Sequence, residues 1–284
     1  MKKSFIVLLS VLLLQITALH AQQQIENSMS QYYRNRMLGN AAFTGANGNK
    51  VYVMQNNSWT NFEGAPRNIN LSGEFGFGKN SALGVQFMSD KAGILNRSFG
   101  VLNYAYRVRF SDDEQLRLGV ALSFSGDRLD AKYLDQSGGA IDPAIIASVN
   151  NQLKFDGNFG MVYTRKRLTL SMALYRLSEN LRNEKSYVNL ATTQWSIDYN
   201  LPLDDRDLSS LKPMLLLRSF RGGAKAVADI GLQYSYHNLF QLTTIYQTTG
   251  NLRLGAGLVK DGLGEANFFY NSNIKMANAS LQQY

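Results

Sequence analysis

Leu116-Arg117-Leu118-Gly119-Val120-Ala121-Leu122-Ser123-Phe124-Ser125 is the stretch that decides the fold class. Large apolar side chains fall on every second position, with Arg, Gly, Ala or Ser between them. A period of two belongs to an extended strand, since a helix repeats every 3.6 residues. One face of this strand is greasy and the other is small and polar. The pattern returns in Leu102, Tyr104, Tyr106 and Val108 set against Asn103, Ala105, Arg107 and Arg109. It returns again in Trp195, Ile197, Tyr199 and Leu201 against Gln194, Ser196, Asp198 and Asn200, and in Ile230, Leu232, Tyr234 and Tyr236 against Asp229, Gly231, Gln233 and Ser235.

Followed along the chain, this alternation predicts strands near 50–57, 66–77, 81–89, 97–109, 115–126, 155–164, 167–177, 191–201, 212–221, 224–236, 239–247, 251–259, 264–271 and 274–284. That makes about 14 strands, with 12 as the alternative count. Many run to about nine residues or more, the length a tilted strand needs to cross a bilayer, whereas strands of soluble sandwiches are usually about five or six. Hydrocarbon forces every backbone amide to find a partner within the protein, which a closed barrel achieves and an open sheet does not. The fold class expected is therefore all-β: a transmembrane, antiparallel, up-and-down outer-membrane barrel with its apolar set facing lipid.

Connection lengths test this independently, because bacterial barrels carry short turns on the periplasmic side and longer loops outside. Long connections are expected at Ser58 to Ala65, Asp90 to Asn96, Asp127 to Lys154 and Ser178 to Leu190, and short ones at Ser111 to Glu114, Arg165-Lys166 and His237-Asn238. Pro202 to Leu211 is the exception, a long connection on the short-turn side. Within the longest loop, Asp142-Pro143-Ala144 reads as an N-cap followed by proline at the first helical position, so a short helix is expected there.

The N-terminus has the order of a secretory signal peptide: Lys2 and Lys3, the apolar run Phe5 to Leu14, then Ala18-Leu19-His20-Ala21. Residues 1–21 are read as that signal and 22–284 as one barrel domain. The apolar run is about ten residues, too short for the roughly 20 that a membrane-crossing helix requires. The chain has no cysteine, which removes disulfides, thiolate metal sites and lipid attachment through a lipobox. Its formal net charge is +8, but the 29 basic residues are scattered through strands and turns, so no nucleic-acid partner is expected. The inward set mixes Glu74, Asp156, Asp198 and Asp229 with Arg107, Arg109, Arg117 and Arg253. Charge pairing that fills a narrow lumen is favoured over a selective conduit.

Catalytic chemistry has little to stand on. Of the two histidines, His20 lies in the signal segment and His237 in a predicted turn beside Asn238. A Ser-His-Asp centre needs its histidine held between a serine and a carboxylate. The acidic pairs Asp112-Asp113 and Asp204-Asp205 sit in short polar turns without the spaced ligands of a calcium loop. Gly255 and Gly257 alternate within a strand and precede no helix, so they do not form a dinucleotide fingerprint. No enzyme activity, cofactor or metal is expected. The more informative segment is Trp59-Thr60-Asn61-Phe62-Glu63-Gly64-Ala65-Pro66 in an outer loop. It reads equally as an interfacial aromatic anchor and as a partner-binding site made of Trp59, Phe62, Glu63, Gly64, Ala65 and Pro66.

That loop also carries a family resemblance. The chain resembles the PorP/SprF family of type IX secretion system membrane proteins, in which a block of the form SQY..N....NPA.AG precedes one of the form RxQWxGFxGAP. Here the first block appears as Ser30-Gln31-Tyr32 through Asn40-Ala41-Ala42-Phe43-Thr44-Gly45, and the second as Asn57-Ser58-Trp59 through Pro66. Further matches are Leu83-Gly84-Val85, Asp90-Lys91-Ala92-Gly93, Tyr104-Ala105-Tyr106-Arg107, Leu118-Gly119-Val120 and Lys212-Pro213. The chain departs at Ala41, where proline is usual, at Asn57 and Ser58, where Arg and Gln are usual, and in the poorly alternating stretch from Ala279 to Tyr284.

The resemblance implies an outer-membrane barrel of the type IX secretion and gliding machinery in a Gram-negative cell. It would bind or anchor an exported surface protein (adhesin) and contact periplasmic secretion or motor-associated lipoproteins, with outer-membrane lipid around it. The alternative that the barrel class alone permits is a pore for small solutes.

Overall fold

The structure is a computed structural model and describes residues 31–58, 65–93, 95–129, 153–178, 191–220, 226–260 and 264–274. The expected signal segment, the helix near Asp142 and all but the first residue of the strand expected over 274–284 lie outside them. Among the described residues fourteen strands form one antiparallel sheet. They are β1 (Lys50–Asn57), β2 (Arg67–Phe77), β3 (Ser81–Ala92), β4 (Leu95–Ser111), β5 (Glu114–Leu129), β6 (Lys154–Arg165) and β7 (Leu168–Leu174), followed by β8 (Ala191–Tyr199), β9 (Leu201–Pro202), β10 (Ser210–Phe220), β11 (Val227–Tyr236), β12 (Phe240–Gln247), β13 (Asn251–Lys260) and β14 (Gly264–Asn273). Each strand pairs with the next, except that β8 and β9 both pair with β10 and so share one lane of the sheet, interrupted at Asn200.

The sheet is inside-out relative to a soluble protein. Outward positions carry Val53, Val85, Val120, Leu122, Trp195 and Leu258, all exposed, with Val53 at 78%. Inward positions carry Asn70, Ser72, Glu74, Ser196, Asp198 and Asp229, all buried, with Asp229 at 0%. A surface of this kind is stable only where the outer medium is apolar. Strand length agrees: β4 has 17 residues and β5 has 16, more than the roughly 9–11 that cross a bilayer.

The two ends of the sheet differ. One carries tight turns at Gly78–Asn80, Asp112–Asp113, Lys166–Arg167 and His237–Leu239, together with the longer Leu203–Ser209. The opposite end carries the connections over 58–66, 130–153 and 175–190, with shorter ones at 248–250 and at 93–94, where the long connection expected over Asp90 to Asn96 is taken up by β3 and β4 pairing out to Ala92 and Leu95. Tight turns select residues that tolerate positive φ: Lys166 stands at 52°, and His237 and Asn238 at 49° and 53°, the geometry of a primed hairpin turn. By the turn-length rule the first end is periplasmic. The loop expected to begin at Asp127 starts later, because β5 runs on to Leu129 and the Asp127 carboxylate accepts from Arg97 Nε at 2.7 Å.

Curvature into a barrel is evident from what the sheet encloses. Residues 31–48 precede β1 and contain two single 3₁₀ turns, Arg36–Leu38 and Ala41–Phe43. This short segment touches Ser72 and Glu74 on β2, Arg117 on β5, Met161 on β6, Met172 on β7, Ser196 and Asp198 on β8, Lys212 on β10 and Glu265 on β14. Only a sheet wrapped around it can present all of these strands to so few residues.

Candidate functional site

The enclosed segment is the most built part of the molecule. Tyr32, Asn35, Met37, Asn40, Ala41, Ala42, Phe43 and Thr44 are all buried, Ala42 and Thr44 at 0% exposure. Its first leg is anchored near the periplasmic end. There the Tyr32 hydroxyl lies 2.9 Å from Ser196 Oγ and 3.0 Å from Asp198 Oδ2, and Arg36 forms an ion pair with the same carboxylate. The Arg36 guanidinium also stacks over the Phe43 ring at 3.8 Å, which ties the first leg to the returning one. Asn35 Nδ2 donates to Ser72 Oγ at 2.8 Å, and the Tyr33 hydroxyl donates to the Lys212 carbonyl at 3.0 Å.

At the top of its path the segment turns at Gly39, whose carbonyl accepts from Tyr175 and Gln194. Asn40 then caps the second 3₁₀ turn, its Oδ1 accepting from Ala42 N at 2.9 Å, and its Nδ2 donates to the Met172 carbonyl at 2.9 Å. Arg117 reaches in from β5 and donates to the carbonyls of Ala42, at 2.9 Å, and Thr44. The chain leaves through Gly45, at φ 71°, whose amide donates to Glu74 Oε2 at 2.7 Å. Positive φ suits glycine, and a Cβ here would strike Ala82. The departure at Ala41 has a physical reading: the residue after the Asn40 cap is a first-turn position, where proline fits but is not required.

The wall is shaped to receive this plug. A Cβ at Gly84 would lie 2.8 Å from Thr44 Cγ2 and closer still to Met37 Sδ, and one at Gly231 would lie 2.7 Å from the Tyr33 hydroxyl. A Cβ at Gly119 would overlap the Ala41–Ala42 backbone, and one at Gly160 would overlap the Asn40 side chain. Four glycines on four strands thus form a collar of the plug's width. The alternation in the sequence marked Gly119 and Gly231 as small-face positions, and Gly84 stood only within a family match, so the plug was not found. The available signal was the coincidence of lumen-facing glycines with an aperiodic motif block upstream.

Of the residues expected to bind a partner, Trp59, Phe62, Glu63 and Gly64 lie outside the described residues. Ala65 and Pro66 are described, half-buried just before β2, and the Pro66 carbonyl accepts from Ser58 N at 2.9 Å. His237 sits in its hairpin turn with its ring 4.4 Å from that of Tyr236. Asp204 closes the longest periplasmic connection by accepting from the amides of Arg206 at 3.1 Å, Leu208 at 2.9 Å and Ser209 at 2.7 Å. Among the described residues no three His, Asp or Glu side chains converge as ligands of a cation.

The inward charges are paired as expected in part. Arg218 and Asp229 form a buried pair at 2.6 Å, and Glu74 accepts from Gly45 and Tyr52. Arg109, by contrast, is exposed near the periplasmic end. What fills the lumen is this set of pairs together with a length of backbone.

The plug residues, from Gln31 on, belong to the first of the two blocks that carry the resemblance, and the family model of the type IX secretion system membrane protein PorP/SprF matches residues 21–276. The chain belongs to the PorP/SprF family. This PorP/SprF protein is therefore an outer-membrane component of type IX secretion. Among solved structures it is similar to outer membrane phospholipase A from Escherichia coli, at 11% identity and a TM-score of 0.39, covering 81% of this chain and 96% of that one. No curated protein matches the chain.

Proposed function

We propose that this barrel works as a plugged station and has no catalytic activity of its own: its outer loops bind or anchor an exported surface protein, an adhesin, while its periplasmic turns contact secretion lipoproteins. The observation that carries this reading is the enclosed segment 31–45, held by strands from β2 to β14. A barrel whose lumen is occupied by its own backbone offers surfaces for binding at each end and a poor path for solute. The alternative, a small-solute pore, needs that segment to leave the lumen, against several buried hydrogen bonds and an ion pair.

The test is a mild-detergent pull-down of the tagged protein from outer membranes with mass spectrometry, run beside conductance in planar bilayers. Recovery of one large surface protein or of periplasmic secretion lipoproteins, with no conductance, is the expected result. Recovery of the barrel alone together with steady channels would overturn it. Loss of a measurable activity on changing His237 to Ala would overturn the non-enzymatic part.

A further inference from the structure

Below the plug, at the periplasmic mouth of the lumen, lies a cavity of about 300 Å³. Its wall is polar and its charge is one-sided. Lys166 and Arg167 come from the β6–β7 turn and Lys212 from β10, while Thr169, Ser210 and Ser235 add hydroxyl groups. Cross-strand register sets Ser210 directly opposite Ser235, and Lys212 directly opposite Gln233. The plug meets the same strand at Lys212, whose carbonyl accepts from the Tyr33 hydroxyl at 3.0 Å.

No carboxylate is among the described residues that line the cavity. Asp198 is fully buried and pairs through Oδ2 with Arg36, and Lys212 Nζ stands 3.5 Å from its Oδ1, so one carboxylate serves two cations. Arg34 and Arg36 both lie near enough to repel Lys212, and Arg34 is paired elsewhere, with Glu265. Asp207 pairs with Arg167 at 3.0 Å, but that pair is largely exposed and so weakly held. The lining therefore carries three cations, Lys166 and Arg167 at its exposed rim and Lys212 deeper and half-buried, where Coulomb attraction is stronger than on an open surface.

We infer that this recess is a docking pocket for a carboxylate-rich peptide segment of a periplasmic partner. Thr169, Ser210, Lys212, Gln233 and Ser235 occupy the inward positions of their strands, away from the lipid-facing surface, so bilayer headgroups do not compete for the depth of the recess. The mixture of ammonium, guanidinium and hydroxyl donors suits several carboxylates along an extended chain better than a single ion. The inference rests on the reading above that the periplasmic end contacts secretion components, and it names the chemistry of that contact.

The experiment uses the full chain in detergent micelles and a fluorescein-labelled peptide, Gly-Asp-Glu-Asp-Glu-Gly, against its counterpart with Asn and Gln, followed by anisotropy. The acidic peptide is expected to bind saturably, with affinity falling as salt rises, and K212M to weaken it by about tenfold. K166M, in an exposed turn that tolerates the change, should weaken it in the same direction and guards against a folding defect in K212M. Equal binding of the two peptides, or full binding by both variants, would sink the proposal. Displacement of the peptide by inorganic phosphate at matching concentration would mean a simple anion site and would sink it too. The titration needs no cargo, so its outcome is independent of whether the pull-down recovers a surface protein.

Discussion

Arg117 on β5 donates through Nε to the carbonyl oxygen of Ala42 at 2.9 Å, so a strand of the wall grips the plug by its backbone. Backbone acceptors are the groups a plug cannot leave bare inside a lumen. A hydrogen bond to a charged donor contributes about 1.5–3 kcal/mol, and Arg117 makes two such bonds while itself buried. R117M should therefore loosen the plug. Because the chain contains no cysteine, a single A42C reports on it directly. Thiol labelling of A42C should be negligible in the parent and rapid in R117M, and equal slow labelling in both would refute the grip.

Asp198 is the one carboxylate shared by Arg36 and Lys212, with the Tyr32 hydroxyl beside it. Removing one member of a buried ionic cluster leaves the others uncompensated, at about 3–5 kcal/mol. D198N is expected to lower the thermal midpoint in detergent and to raise bilayer conductance, as the first leg of the plug comes free. A variant as stable and as silent as the parent would show that Ser196 and the plug's other bonds suffice.

Val120 and Ser123 sit three residues apart on β5 and face opposite ways, Val120 at 52% exposure and Ser123 at 7%. An arginine placed on the lipid face near the bilayer midplane costs about 2–4 kcal/mol. V120R should lower the folding equilibrium in lipid vesicles by an amount in that range. An unchanged equilibrium would mean that this part of β5 projects beyond the hydrocarbon.

The amide of Leu208, with those of Ser209 and Arg206, holds the Asp204 carboxyl below its ordinary range. A depressed folded value means a contribution that is complete above the unfolded value of about 3.9 and lost as pH falls through the folded one. Cleavage within Leu203–Ser209 by an acid-tolerant protease should rise as pH drops below about 4. D204N should show the higher rate already at neutral pH, with no further rise. Since the carboxylate bonds to amides of its own surface turn, the effect belongs to this turn and not to global stability.

The lanes of the barrel were legible because period-two alternation is imposed twice, by lipid outside and by the lumen inside. The strand read over 251–259 is Asn251–Lys260 in the structure, and that read over 115–126 is Glu114–Leu129. The break at Asn200 was not legible, since Ile197, Tyr199 and Leu201 keep the alternation running across it. The counts of 14 agree for different reasons: the split into β8 and β9 adds one, and the strand expected over 274–284 falls beyond the described residues. Tyr32 to Thr44 gave no periodic signal, because a segment enclosed on all sides has no solvent face to alternate with.

The plug also settles how the molecule is put together. Its first leg ties to β14 through Arg34 and Glu265 at 2.7 Å, and its exit joins β1, the opposite margin of the same sheet. Those two margins run in the same direction and, among the described residues, no backbone ladder joins them. The segment is thus the hub to which both ends of an unrolled ribbon are fastened, and it precedes the whole wall in the chain. Drawing it out would take away the mandrel on which the cylinder is wound.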